Sequence, residues 1–129
     1  MLTNAGRDFV SAQVAGAGGT ATAKHMAVTA NATAPAAGNT TLAGEITTAG
    51  GGLLRKVATY AHTTGTATYT LTATFTANGS DALPVTLAKR GVFDAASTGT
   101  LVFETLLNST AVLSVSGDAT TITDTVTIS

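Results

Sequence analysis

The chain has 129 residues, enough for one domain with a real hydrophobic core, and only 10% of them are charged, for a net charge of -1. That balance excludes the clustered lysine and arginine of a nucleic-acid footprint, and an aromatic content of 5% leaves few rings on which bases or sugars could stack. Cysteine is absent, which excludes disulfides, thiolate chemistry and cysteine-ligated zinc.

In chain order, the opening MLTNAGRDFV has no basic region followed by an apolar core, so no signal peptide is expected. No apolar run approaches the roughly 18 residues of a membrane-spanning helix. Thr3 or Asn4 can cap a short helix in which Phe9, Val10 and Val14 fall near one face. The helix is expected to stop at Gly16-Ala17-Gly18-Gly19, giving an arm over residues 1–19 ahead of a β domain over 20–129. Such a segment either docks on a partner or caps its own sandwich, and the sequence leaves both open. Thr20 to Ala30 reads as a strand, and Ala30 to Gly52, rich in Ala, Thr and Gly, as a long loop or an irregular edge. Leu53 to His62 reads as another strand.

The clearest signal is Thr66 to Ala77, where every even position is Thr and every odd one apolar. Side chains alternate across a strand with period two, so this writes a threonine face opposite a face of Ala, Tyr, Leu, Ala, Phe and Ala. Asn78-Gly79-Ser80-Asp81 breaks the strand; Leu83, Val85 and Leu87 alternate after it, with Pro84 suggesting an edge. Asp94 to Thr100 reads as a turn before Leu101-Val102-Phe103. Ala111 to Val115, a Gly117-Asp118 turn and the alternating Thr121 to Ser129 form a hairpin pattern. There Asp124 shares a face with Ile122, Val126 and Ile128; it is either a buried hydrogen-bonded group or a catalytic acid, and with no carboxylate or His nearby in sequence the structural or edge-marking reading is preferred.

Short strands punctuated by turns predict an all-β fold: an antiparallel β-sandwich or jelly-roll-like barrel with a short N-terminal helix or arm. Gly16 to Ala21 matches a loose dinucleotide fingerprint, but the helix precedes it and the strand follows, the reverse of what pyrophosphate binding requires. His25 and His62 have no metal-site spacing, no Ser lies in a nucleophile elbow, and Asp81, Asp94 and Asp118 all fall in turns. No catalytic residue, metal or cofactor is therefore expected. Sequons at Asn31, Asn39, Asn78 and Asn108 are what chance gives in a chain that is roughly a fifth Thr.

The phrases MLTNAGRDF, TLAGEIT, the run from GLLRKVATYAHTTG through KRGVFDAASTGTLVFETLL, and TITDTVTIS resemble a group of small β-rich virion proteins of tailed bacteriophages. The "G-(V/L/I)-F-(N/D)-A-A-S-x-G-T" loop is the group's most recognisable phrase. This chain departs from the group in carrying Lys89-Arg90 where an acidic residue commonly stands before the loop glycine. The resemblance implies a non-enzymatic structural protein of the virion, assembled in the host cytoplasm. Capsid decoration or cement is the first expectation, with a neck or tail protein or a carbohydrate-binding adhesion module as alternatives. Implied partners are further copies of the chain, as a trimer, and the major capsid protein; nucleic acid and membrane are not expected. The candidate subunit or capsid contacts are Leu2, Arg7, Phe9 and Val10 on the arm, and Lys89 and Arg90 as half of an intersubunit salt bridge.

Overall fold

A computed structural model describes residues 1–16 and 21–128. Helix α1 (Asn4–Val14) leads into seven strands: β1 (His25–Thr29), β2 (Lys56–Val57), β3 (Thr59–His62), β4 (Thr68–Thr76), β5 (Val85–Phe93), β6 (Leu101–Leu113) and β7 (Ala119–Thr127). They form two antiparallel sheets in the orders β2-β1-β5-β6 and β3-β4-β7, the sandwich expected from the alternation. The core between them gathers Met26 and Val28 of β1, Leu71, Ala73 and Phe75 of β4, Leu87 and Val92 of β5, Leu113 of β6 and Ile122 of β7. Phe75 is completely enclosed. It comes from the apolar face that the period-two pattern marked, and its threonine neighbours Thr74 and Thr76 face solvent.

Thr3 caps α1, its Oγ1 accepting from the Gly6 N–H at 2.9 Å and donating to the Leu101 carbonyl. Gly6 is buried because the helix lies on β6: a Cβ there would run into the Val102 carbonyl and approach Leu2 Cδ1 to 2.9 Å. The helix therefore caps its own sandwich. Of the expected glycine hinge only Gly16 is described, at φ 74; Ala17, Gly18 and Gly19 lie outside the described residues.

Three expectations need correction. The segment from Leu53 to His62 is two short strands in different sheets, the chain crossing between them at the buried Ala58. Pro84 stands just ahead of β5, which is an interior strand paired with both β1 and β6. The C-terminal strands form no hairpin, because β6 pairs with β5 and β7 with β4. Only Ala111–Leu113 of the expected penultimate strand is extended, as the end of the long β6, and the Gly117-Asp118 turn carries the chain from one sheet to the other. A periodic pattern specifies which face of a strand is buried but not which neighbour it pairs with.

Candidate interaction surfaces

Lys89 and Arg90, the basic pair singled out in the sequence, are both consumed within the chain. Glu104 stands opposite Gly91 on the neighbouring strand, with Lys89 two residues along β5, which sets the two side chains diagonally on one face. The long loop from 30 to 52 folds over that face. Lys89 Nζ lies 3.4 Å from Glu104 Oε2 and donates to the Thr33 carbonyl at 3.1 Å, with the side chains 1% and 0% exposed. Glu104 Oε1 accepts from the Ala36 N–H at 2.9 Å and from the Asn39 side-chain amide. Beside this polar cluster, Ala27, Leu42, Phe93 and Leu101 form a small second core under the same loop. Lys89 is a buried strut that pins the loop to the sheet and is not available to a partner.

Arg90 faces the other way. Its Nη2 lies 2.6 Å from Asp124 Oδ1 of β7, so the pair bridges the two sheets, and the structural reading of Asp124 holds. The pair leaves Arg90 as no free half of an intersubunit bridge. The nearby Tyr69 hydroxyl is pushed up from its ordinary pKa by burial first and the Asp124 charge second. The Met1 amino group donates to the Glu104 carbonyl at 2.5 Å, and burial moves its pKa down.

A third ion pair went unnoticed in the sequence. Arg55 grips Glu45 with two nitrogens, Nε to Oε1 at 2.5 Å and Nη2 to Oε2 at 3.0 Å. Its Nη1 donates to the carbonyls of Ala95 and Thr98 at 2.9 and 2.7 Å, and its guanidinium stacks 3.5 Å over the Phe93 ring. A planar fork that serves a carboxylate, two carbonyls and an aromatic face is a role lysine cannot fill. Arg55 thereby clamps the loop from Asp94 to Thr100, the β5–β6 connection the sequence expected. The loop is closed by Asp94 Oδ1 accepting from the Thr100 N–H at 2.6 Å, and it turns on Thr98 and Gly99 at φ 51 and 76. A β-branched residue in the left-handed region is strained, and the Arg55 hydrogen bond to its carbonyl helps to hold it there. The available signal was Arg55 inside the otherwise apolar start of LLRKV and a lone acid, Glu45, inside TLAGEIT, in a chain with few charges to spare.

Asp81 and Asp118 also act as turn residues. Asp81 Oδ2 accepts from the Gly52 and Asn78 N–H groups at 2.9 and 2.8 Å. Asp118 Oδ2 accepts from those of Ser114 and Val115 at 2.7 and 3.0 Å, which holds its carboxyl below the ordinary aspartate range.

The arm residues differ in what they offer. Leu2 is half-buried and bridges to Phe103, and Phe9 is half-buried. Arg7 is exposed, with Nη1 3.1 Å from Asn4 Oδ1. Val10 and Val14 face solvent at 41% and 84% exposure.

The outer face of β4 and β7 is an uncharged surface of threonines. Register sets Thr68, Thr70, Thr72 and Thr74 of β4 opposite Thr127, Thr125, Thr123 and Thr121 of β7. The hydroxyls of Thr72 and Thr123 meet at 3.2 Å and those of Thr74 and Thr121 at 2.8 Å. On the opposite face, at the β3 edge where register sets Tyr60 against Leu71 and His62 against Tyr69, the rings gather: Tyr60, 59% exposed, lies 5.6 Å from the Tyr69 ring and 6.5 Å from that of His62. Tyr60, Tyr69, Phe9 and Lys24 line a cavity of about 460 Å³ between this edge and α1.

No protein-family model, curated protein or solved structure gives a significant match to the chain.

Proposed function

We propose that this protein is a non-enzymatic structural component of a tailed-bacteriophage virion, a capsid decoration or cement protein that assembles with copies of itself and with the major capsid lattice. The observation that carries the assembly half of this reading is the division of charge. Three ion pairs take Arg55, Lys89 and Arg90 with Glu45, Glu104 and Asp124, two of them held under loops on one sheet and one between the sheets, while the outer face of β4 and β7 presents paired threonines. A neutral face meets a neighbour without desolvating an ion or repelling a like charge. The virion half rests on the sequence phrases, above all GVFDAASTGT, which here forms the end of β5 and the clamped loop. Immunogold labelling and electron microscopy of purified particles from a phage encoding the chain test it. Regularly spaced label on the capsid is expected, and particles free of the protein would overturn the reading.

A second reading, glycan binding, draws support from the cluster of Tyr60, Tyr69 and His62, since sugar rings stack on exposed aromatic faces. Binding on a glycan array that is lost in Tyr60→Ala would favour it over a purely structural role.

A further inference from the structure

We propose that the free edge of β7 is a self-pairing surface, through which two copies of the chain join about a two-fold axis into one continuous six-stranded sheet. The inference rests on the assembly reading above and names its contact.

The direction of the β7 backbone follows from two hydrogen bonds. Ala77 N donates to the Asp118 carbonyl at 2.8 Å and Ile128 N to the Ala67 carbonyl at 2.7 Å, one at each end of an unbroken β4–β7 register. In an antiparallel ladder, bonded and non-bonded pairs alternate. Both ends therefore place the even residues of β7 in bonded pairs with β4. The odd residues Thr121, Thr123, Thr125 and Thr127 turn their N–H and C=O groups outward, and among the described residues these groups have no partner. The close Oγ contacts at Thr123 and Thr121 agree, because side chains approach most closely in non-bonded pairs.

Edge strands that stay single are usually guarded by a lysine, a proline, a bulge or a covering segment. The β6 edge is guarded twice: residues 1–3 lie along it, with Thr3 N donating to the Val102 carbonyl and Glu104 N to that of Met1, and four residues from Leu107 to Thr110 bulge opposite Ala88. The β2 edge has two residues and the β3 edge four. The β7 edge has nine, with no lysine, proline or bulge.

A second β7 is the occupant that fits. Its length matches, whereas β3 would leave more than half of the edge bare. With Thr123 on the axis all nine residues overlap, and Thr121 faces the partner's Thr125, repeating across the seam the threonine pairing already present between β4 and β7. The same register sets Ile122, and not a second carboxylate, opposite the partner's Asp124. The resulting contact is a dimer; the three-fold assembly implied by the sequence resemblance would need a different surface.

The test is sedimentation equilibrium together with amide hydrogen exchange on the full chain at about 100 µM, where a dimer of micromolar affinity is nearly complete. A dimer with slow exchange at Thr121, Thr123 and Thr125 is expected. Thr123→Pro removes only an outward N–H, and Thr125→Lys adds an edge charge without touching the β4 ladder; each should give a monomer with an unchanged circular dichroism spectrum. A wild-type monomer overturns the proposal. So does an oligomer whose threonine amides exchange freely or that survives Thr125→Lys, and that outcome leaves the assembly reading intact while removing this edge from it.

Discussion

Replacing Glu104 by leucine should strand a buried cation. The Lys89 side chain is 1% exposed, and among the described residues its ammonium has only the Glu104 carboxylate at 3.4 Å and the Thr33 carbonyl at 3.1 Å. Removing one member of such a pair leaves an uncompensated charge, at about 3–5 kcal/mol. Glu104→Leu also removes the acceptor for the Ala36 N–H and the Asn39 amide, whose loss adds about 1 kcal/mol each where they stay dry. Against a total stability of about 5–15 kcal/mol, this is a large fraction. For a domain of this size it corresponds to a melting point roughly 10–25 °C lower. The double variant Lys89→Met, Glu104→Leu removes the stranded charge along with its partner. It should recover the stranded charge's cost of about 3–5 kcal/mol over Glu104→Leu and stay below wild type by the two lost loop hydrogen bonds, about 2 kcal/mol. Urea denaturation of wild type, both single variants and the double variant closes the cycle. If Glu104→Leu lies within about 1 kcal/mol of wild type, or the double variant is no more stable than Glu104→Leu alone, the ammonium is not held in a dry site and the reasoning fails.

Gly6→Ala should cost about 2 kcal/mol or more, because the added methyl meets the Val102 backbone, which cannot swing aside; faster amide exchange across α1 in this variant, with the sheets unaffected, would locate the damage. Phe75→Ala empties a fully enclosed core site and should lower stability by about 3–5 kcal/mol, checked by the same denaturation experiment. The Asp118 carboxyl has a lowered folded pKa, so its contribution is complete above the unfolded value near 3.8 and disappears as pH falls through the folded one. In Asp118→Ala the melting temperature should therefore decline less steeply with acid below about pH 4 than in wild type; parallel acid limbs would contradict the assignment. Arg55→Lys keeps the charge but loses the fork, and should release the loop from Asp94 to Thr100, seen as faster exchange at Thr100 with the core amides unchanged.

The candidate contacts show how far sequence reading reaches. Lys89-Arg90 stood out because charges are scarce, and both residues prove to be structurally important, but as internal partners of Glu104 and Asp124. Their partners lie 15 and 34 residues away, and nothing local signals a contact set by strand order. Arg55 was passed over for the same reason: its four roles converge from residues between 45 and 98.

What the sequence by itself determined is local. The period of two fixed the faces of β4 and β7, the Asp, Gly and Asn turns punctuated the strands, and Thr3 started the helix; each depends on residues within a few positions of one another. Tertiary structure alone decided that β6 and β7 part into different sheets, that a loop buries Lys89 beneath it, and that the last threonine strand is left with a bare edge. Those outcomes depend on which strands become neighbours. Pairing is chosen by the burial of whole faces against each other, and the alternation of a single strand carries no record of it.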